Sequence, residues 1–204
     1  MTAQTTDKAK TSYHHGNLKS ALVLQATQMI VADGIEALSL RKLAEEVGVS
    51  RTAAYHHFKD KGALLSAIAV TGFEQWQKQS ESILDNDSLN ARTKFSQFVR
   101  AYIRFAHQNA HLYELMFGRE LWQQHKNSEE LTDIAYKSFN YQVEMTKYWQ
   151  SVGVLAKENP LRQAQVCWGT LHGIARLLID GIYTDYSAID EMCDCIVATY
   201  CLEK

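Results

Sequence analysis

The side chains best suited to recognising another molecule follow a short glycine-containing turn at residues 48–50. Arg51 and Thr52 come directly after this turn, and a guanidinium and a hydroxyl are groups that hydrogen-bond base edges in the major groove of DNA. Further on lie side chains better placed for phosphate groups, which fix the register of a protein on DNA without reading its sequence: Tyr55, His56, Lys59 and Lys61. This order of residue types predicts a surface that binds double-stranded DNA.

Two short helices joined by a tight turn would hold these side chains in place. Ser39 can cap the first helix, residues 40–47, in which apolar residues recur on one face. Gly48 can end that helix because glycine tolerates the left-handed conformation common just after a helix. Ser50 can then cap a second helix that runs through Phe58. The arrangement is a helix-turn-helix, whose second helix presents its first residues to the major groove.

Two strings in this region carry a specific resemblance: YHHGNL at residues 13–18 and GVSRTAAYHHFKDKGALL at residues 48–65. Residues 13–65 as a whole closely resemble the DNA-binding domain of TetR-family transcriptional regulators. The resemblance implies a homodimer that binds a pseudo-palindromic DNA operator, usually as a repressor. It also implies a larger helical C-terminal domain that binds a small-molecule effector and forms the dimer.

The same resemblance assigns roles to individual residues of the predicted DNA-binding set. The positions that match the family's phosphate contacts are Ser39, Tyr55, His56 and Lys61. The positions that match its base-proximal residues are Ser50, Arg51 and Thr52. Arg41, on the first helix of the motif, completes the set. The neighbouring residues Lys42, Glu45 and Glu46 are most simply a solvated face with local charge pairing.

Composition favours an all-α protein. The 204 residues include one proline and ten glycines, which leaves few turns for a many-stranded sandwich or barrel. Apolar residues make up 46% and charged residues 22%, which excludes a collagenous or wholly disordered chain. Residues 1–62 carry eight Lys and Arg against six Asp and Glu, so charge alone does not establish nucleic-acid binding.

Sequence signals for export, membrane insertion and metal binding are weak. Residues 1–10 are polar and lack the apolar core of a secretory signal, and no apolar run is long enough to span a bilayer. We therefore expect a cytoplasmic protein with no membrane partner and with reduced cysteines, namely Cys167, Cys193, Cys195 and Cys201. The adjacent His14 and His15 are more simply DNA-backbone contacts or exposed residues than metal ligands. We expect no cofactor and no metal.

Apolar periodicity and capping residues predict a flexible tail at residues 1–11, a helix-turn-helix domain at 12–62 and a helical effector-binding and dimerisation domain at 63–204. The predicted first helix spans residues 16–32. One later predicted helix begins at Ser88 or Asn90 and is interrupted at Asn109. The other later predicted helices span residues 61–84, 110–117, 119–124, 127–150, 161–182 and 187–202.

Trp168, His172 and Gly173 share one face of the long predicted helix at 161–182, and they resemble a C-terminal domain type named for its Trp-His-Gly signature. These residues either pack the core and the dimer, with His172 hydrogen-bonded internally, or line a pocket. Aromatic side chains around the middle helices are compatible with a mostly apolar ligand site. The predicted pocket residues are Tyr102, His107, Tyr113, Met116, Phe117, Trp122, Trp149, Trp168 and His172. The chemistry of the effector does not follow from the sequence.

The last two predicted helices match the family's usual dimer interface. The residues assigned to it are Ile174, Leu177, Leu178, Ile189, Cys193, Ile196, Val197 and Tyr200. The sequence presents no convergent set of nucleophile, acid and base, so we expect no enzymatic activity. A ligand-independent DNA-binding protein of the same fold, architectural or activating, stays open as the alternative.

Overall fold

The computed structural model describes residues 18–122 and 127–203. The predicted tail, the residues His14 and His15, and the first two positions of the predicted first helix lie outside the described residues. Among the described residues, the regular elements are helical, apart from an isolated antiparallel bridge between Leu155 and Cys201. No helix in this part of the chain is long and apolar enough to cross a membrane. The chain divides into two compact units between residues 61 and 62.

Three helices form the described part of the first unit: α1 (Leu18–Asp33), α2 (Leu40–Val47) and α3 (Arg51–His57). Helix α2 packs against both α1 and α3. Its Leu43 and Ala44 side chains are fully buried, and the small alanine lets the neighbouring helices approach closely. The predicted helix-turn-helix is confirmed, and α2 has the predicted bounds.

Local hydrogen bonds explain where α2 and α3 begin and where α2 ends. The Ser39 hydroxyl accepts from the Lys42 N–H at 3.2 Å, and the Ser50 hydroxyl accepts from the Ala53 N–H at 3.1 Å. Each bond satisfies a backbone donor that the first turn of a helix leaves unpaired. Gly48 ends α2 with a φ of +75°, a left-handed conformation that glycine adopts without steric cost. These predicted caps are confirmed.

The second unit combines long and short helices that pack around an aromatic core. Helix α4 (Lys61–Leu84) begins at the boundary between the units. The described helices that follow are α5 (Ala91–Gln108), α6 (Ala110–Phe117), α7 (Arg119–Trp122), α8 (Glu129–Ser151), α9 (Pro160–Ile179) and α10 (Ile189–Tyr200). Helix α5 packs against α9 and α10, and α8 packs against α9. The second unit thereby surrounds the space in which a ligand could be held.

Several predicted boundaries in the second unit are wrong by a few residues. Ser128 rather than the preceding asparagine caps α8, because its hydroxyl accepts from the Leu131 N–H at 3.1 Å. Helix α9 ends at Ile179, earlier than predicted, and Gly181 follows in a left-handed conformation with a φ of +69°. A 3₁₀ turn at Tyr186–Ala188 occupies the start of the predicted last helix, and α10 begins after it. The predicted end of α7 at residue 124 lies outside the described residues.

Candidate DNA-binding surface and ligand cavity

The predicted DNA-contacting side chains of α3 are exposed to solvent. Arg51, Thr52 and His56 are exposed, and Tyr55 keeps 51% of its surface accessible. Ala54, on the opposite face of the helix, is fully buried and anchors α3 to the first unit. The structure therefore brings the predicted α3 residues together on one accessible face, as a recognition helix requires.

Both serine caps leave a donor available on this surface. Ser39 and Ser50 are exposed, and each hydroxyl oxygen accepts a backbone hydrogen bond within its own helix. A hydroxyl that accepts one hydrogen bond still has its proton to donate. Each cap can therefore hold its helix and also donate to a phosphate oxygen.

Glu45 is an acidic residue within the predicted DNA-binding set, and it pairs with two of that set's cations. Its Oε1 lies 3.2 Å from the Nε of Arg41 and 3.5 Å from an Nη of Arg51. All three side chains are more than half exposed, so each pair contributes little to stability. The carboxylate nevertheless lowers the positive charge that this face presents to DNA. Sequence reasoning placed Glu45 on a solvated face with local pairing, and its pairing with Arg41 at i, i+4 fits that prediction.

Lys61 has a backbone partner that the sequence did not indicate. Its Nζ donates to the carbonyl oxygen of Ile35 at 2.6 Å, and the side chain is half-buried. This bond ties the first residue of α4 to the segment between α1 and α2. An ammonium group has three donors, so two stay available for a phosphate. Lys61 therefore has a structural partner besides its predicted phosphate contact.

A cavity of about 380 Å³ lies inside the second unit. Helices α4 to α9 each contribute to its wall, and most of the lining side chains are aromatic. The lining residues are Phe73, Trp76, Tyr102, Phe117, Trp122, Ala135, Ser138, Phe139, Gln142 and Trp168. Volume and lining match those of small-molecule sites, which are mostly apolar with a few polar groups.

The predicted pocket residues separate into those that line this cavity and those that do not. Tyr102, Phe117, Trp122 and Trp168 line it. His107, Tyr113, Met116, Trp149 and His172 do not. The His107 ring stacks on Tyr186, and Trp149 is buried against Phe95 and Phe98. Met116 packs beside Gly72, where an added Cβ would lie 2.6 Å from the methionine sulfur.

Sequence reasoning missed the contribution of α8 to the cavity. Ala135, Ser138, Phe139 and Gln142 follow one another at i, i+3, i+4 and i+7, the spacing of one helical face. Two of the four residues are polar, so this stripe carries no clear apolar signal. The spacing itself was the only signal in the sequence that could have identified it.

A hydrogen-bonded chain of four side chains starts at the cavity wall and runs away from it. The Trp168 indole N–H donates to the Tyr102 hydroxyl at 2.8 Å. The Tyr102 and Tyr113 hydroxyl oxygens lie 2.8 Å apart, and the Tyr113 hydroxyl lies 2.7 Å from the Nδ1 of His172. Internal hydrogen bonding of His172 agrees with one of the two interpretations of the Trp-His-Gly residues, while Trp168 also lines the cavity.

Counting the available protons shows which group donates in each hydrogen bond of this four-residue chain. An indole N–H can only donate, so the Tyr102 oxygen accepts from Trp168. All groups are then satisfied when Tyr102 donates to Tyr113 and Tyr113 donates to a neutral His172 ring. Burial lowers the pKa of His172, which favours that neutral ring, and burial raises the pKa values of Tyr102 and Tyr113, which keeps both hydroxyls protonated.

The residues predicted for a dimer interface fall into two groups. Leu178, Ile189, Cys193, Ile196 and Val197 are at most 9% exposed in the single chain, so their side chains pack inside the protomer. They offer little surface to a partner, and their assignment to a dimer interface stays a prediction. Ile174, Leu177 and Tyr200 are half-buried and still offer surface to a partner.

Comparison with known families and structures agrees with this architecture. Residues 22–68 match the family described as bacterial regulatory proteins of the tetR family, and residues 95–200 match the tetracyclin repressor-like C-terminal domain. The second match covers more than half of the chain. It does not bear on the Trp-His-Gly subtype, which stays a prediction.

Three individual proteins illustrate the similarity. The class A tetracycline repressor from transposon 1721 of Escherichia coli is 34% identical over 88 residues, which are 41% of this chain and 40% of that repressor. The chain thus matches about two fifths of the length of that relative. A protein of unknown function from Rhodococcus sp. RHA1 is 29% identical, with a TM-score of 0.79 over 95% of this chain and all of that one.

The TetR-family regulator PfmR from Thermus thermophilus shares the fold, with a TM-score of 0.64 at 20% identity over 90% of this chain and 99% of its own. Family matches to both parts of the chain and an all-helical fold with a helix-turn-helix lead to one assignment. The chain belongs to the TetR family of bacterial regulatory proteins.

Proposed function

We propose that this regulator is a homodimeric repressor that binds a pseudo-palindromic operator and is released from it by a small molecule held in the aromatic cavity. The cavity of about 380 Å³ in the second unit is the observation that carries the effector part of this proposal. Residues 12–62 would form the DNA-binding domain and residues 63–204 the effector-binding and dimerisation domain. A ligand acts in this way only if it binds the DNA-competent and released states with different affinities.

Each protomer would place α3 in one major groove of the operator. The exposed Arg51 and Thr52 at the start of α3 suit base edges, while Tyr55 and His56 suit phosphates. Ser39, Arg41, Ser50 and Lys61 would add contacts around them. Two copies related by a twofold axis would then read two half-sites of opposite orientation.

The exposed side of α9 and α10 supports the dimer. Ile174, Leu177 and Tyr200 keep accessible surface there, and Val166 is 62% exposed. Gly169 and Gly173 have no heavy atom within 4 Å of where a Cβ would stand. Helices that present small residues beside exposed apolar ones suit close packing against an identical surface.

Selection of bound genomic DNA by the purified protein, at near-physiological salt, tests the first half of this proposal. We expect recovery of a twofold-symmetric site that binds two protomers, and weaker, less selective recovery with Arg51→Ala. Salt-sensitive binding with no shared sequence would contradict a repressor of one operator and favour an architectural role.

The recovered operator then supplies the assay for the second half. Fluorescence anisotropy of labelled operator, followed while small molecules are added, reports release directly. A compound that releases the DNA should also raise the melting temperature of the free protein, because it binds the native state. Release without such stabilisation would contradict binding in the cavity.

A further inference from the structure

Three side chains of the cavity wall carry polar groups with no hydrogen-bond partner in the part of the chain that the structure describes. Gln142 is 8% exposed, and neither the oxygen nor the nitrogen of its amide has a partner. The Ser138 hydroxyl, one turn earlier on α8, and the Trp76 indole N–H have none either. Among the described residues, the one fully enclosed side-chain polar atom without a partner is the Trp149 indole nitrogen, so the polar atoms of these three residues keep accessible surface. Because the three residues line the cavity, these groups are open to a molecule held there.

The other polar groups of the wall are already occupied. The Trp122 indole N–H donates to the carbonyl oxygen of Met116 at 2.8 Å, and that of Trp168 donates to Tyr102. Donor counting assigns the Tyr102 proton to the Tyr113 hydroxyl, whose oxygen lies 2.8 Å away. Polar recognition in the cavity therefore falls to Gln142 and Ser138, with Trp76 as a further donor.

The wall carries no ionised side chain among the described residues that line it. Placing an unpaired charge among these aromatic rings would cost far more than placing a neutral polar group there. A carboxamide offers one acceptor and two donors, which match a ligand group that has a donor beside an acceptor.

From this arrangement we propose that the effector is a neutral, planar aromatic molecule whose amide-like group pairs with the side-chain amide of Gln142 and the hydroxyl of Ser138. The inference deepens the proposed function, on which it rests, by naming the class of molecule that the cavity accepts. The aromatic rings of the wall would stack on the planar part of the ligand, with offset or edge-to-face geometry.

Binding of matched naphthalene probes to the full-length protein tests this assignment by isothermal titration calorimetry. The probes are 2-naphthamide, the anion 2-naphthoate and the cation 2-naphthylmethylammonium, which share one ring system and differ in charge. We expect the amide to bind at least about tenfold more tightly than either ion, because only the ions must be desolvated as charges. Equal or tighter binding of an ion, or no binding of the amide, would overturn the proposal.

Variants of Gln142 test whether its side-chain amide binds the ligand. Gln142→Leu keeps a similar volume and removes the amide, so we expect at least about a tenfold loss of 2-naphthamide affinity without a fall in melting temperature. Gln142→Glu should bind the ammonium probe more tightly than 2-naphthamide. Gln97→Leu, at an exposed position on α5, is the matched control and should bind like the natural protein. Unchanged amide affinity in Gln142→Leu would refute the assigned role.

The same probes separate this inference from the proposed function. If 2-naphthamide binds through Gln142 but does not release operator DNA, the ligand class stands and effector-controlled release fails for it. If only charged compounds release the DNA, the regulatory function stands and the neutral ligand class is overturned.

Discussion

Removing one hydroxyl from the chain of Trp168, Tyr102, Tyr113 and His172 should cost more stability than removing an exposed one. Tyr113→Phe deletes two hydrogen bonds and leaves the buried Tyr102 O–H without an acceptor. Tyr102→Phe deletes two bonds and leaves the Trp168 N–H without one. Because an unsatisfied buried donor costs about 1–3 kcal/mol, we expect each variant to lose about that much free energy of unfolding.

The double variant distinguishes a connected chain from independent hydrogen bonds. The two single losses both contain the bond between the tyrosines, so adding them counts it twice. The double variant also removes the Tyr102 donor that Tyr113→Phe leaves unsatisfied. We therefore expect a combined loss about 1–2 kcal/mol smaller than the sum of the single losses.

Urea unfolding followed by far-ultraviolet circular dichroism measures these losses, with an unchanged m-value as evidence that the denatured states are comparable. Measurements at two protein concentrations separate folding from dimerisation. Tyr136→Phe, at a side chain that is 68% exposed, is the matched control and should stay within about 0.5 kcal/mol of the natural protein. Losses that add within about 0.5 kcal/mol, or a loss in Tyr113→Phe no larger than in the control, would refute the reasoning.

Three further predictions concern the DNA surface and pH. Arg51→Ala should weaken operator binding and relax base preference. Lys61→Ala should weaken binding to all sequences and reduce the slope of log affinity against log salt by about one. Lys61→Ala should also lower the melting temperature. Altered base preference in Lys61→Ala with an unchanged salt slope would contradict this division of roles. Glu45→Gln should strengthen DNA binding about two- to fivefold regardless of sequence, because it frees Arg41 and Arg51 from their surface ion pairs. Glu46→Gln is the control, and equal effects of the two variants would exclude a specific role for Glu45. The pKa of His172 is lowered by burial, so the unfolded chain takes up that proton first and stability falls as pH drops below about 6.5. His172→Gln should flatten this acid-side slope in pH-dependent urea unfolding, and an unchanged slope would assign it to other groups.

Elements fixed by neighbouring residues could be predicted from the sequence. Ser39, Gly48 and Ser50 mark the ends of α2 and the start of α3 through hydrogen bonds within a few residues. Such bonds depend on local spacing alone, so the helix-turn-helix can be predicted without knowledge of the tertiary fold. Boundaries failed where two capping residues competed, as at Asn127 and Ser128, because sequence does not tell which backbone conformation the segment takes.

The cavity wall and the exposed face of α9 could be predicted only in part, because both depend on which way a helix face points. Periodicity shows that Leu178 and Ile174 belong to the apolar part of α9, but not that one faces the protomer's own core and the other faces outward. The cavity wall combines residues from helices far apart in sequence. Polar members such as Gln142 resemble ordinary surface residues until the fold encloses them.

Trp168 explains why the two interpretations of the Trp-His-Gly residues were not true alternatives. Its ring lines the cavity while its N–H belongs to the internal chain, so core packing and pocket lining describe two ends of one side chain. Tyr102 has the same double position, whereas Tyr113 and His172 belong only to the chain. A ligand that displaces the Tyr102 hydroxyl therefore changes hydrogen bonds as far as His172, which is not part of the cavity wall. Substitutions of Tyr113 should therefore change the free energy of unfolding with little direct effect on ligand contacts. Comparing the two effects separates the structural role of the hydrogen-bonded side chains from ligand recognition in the cavity.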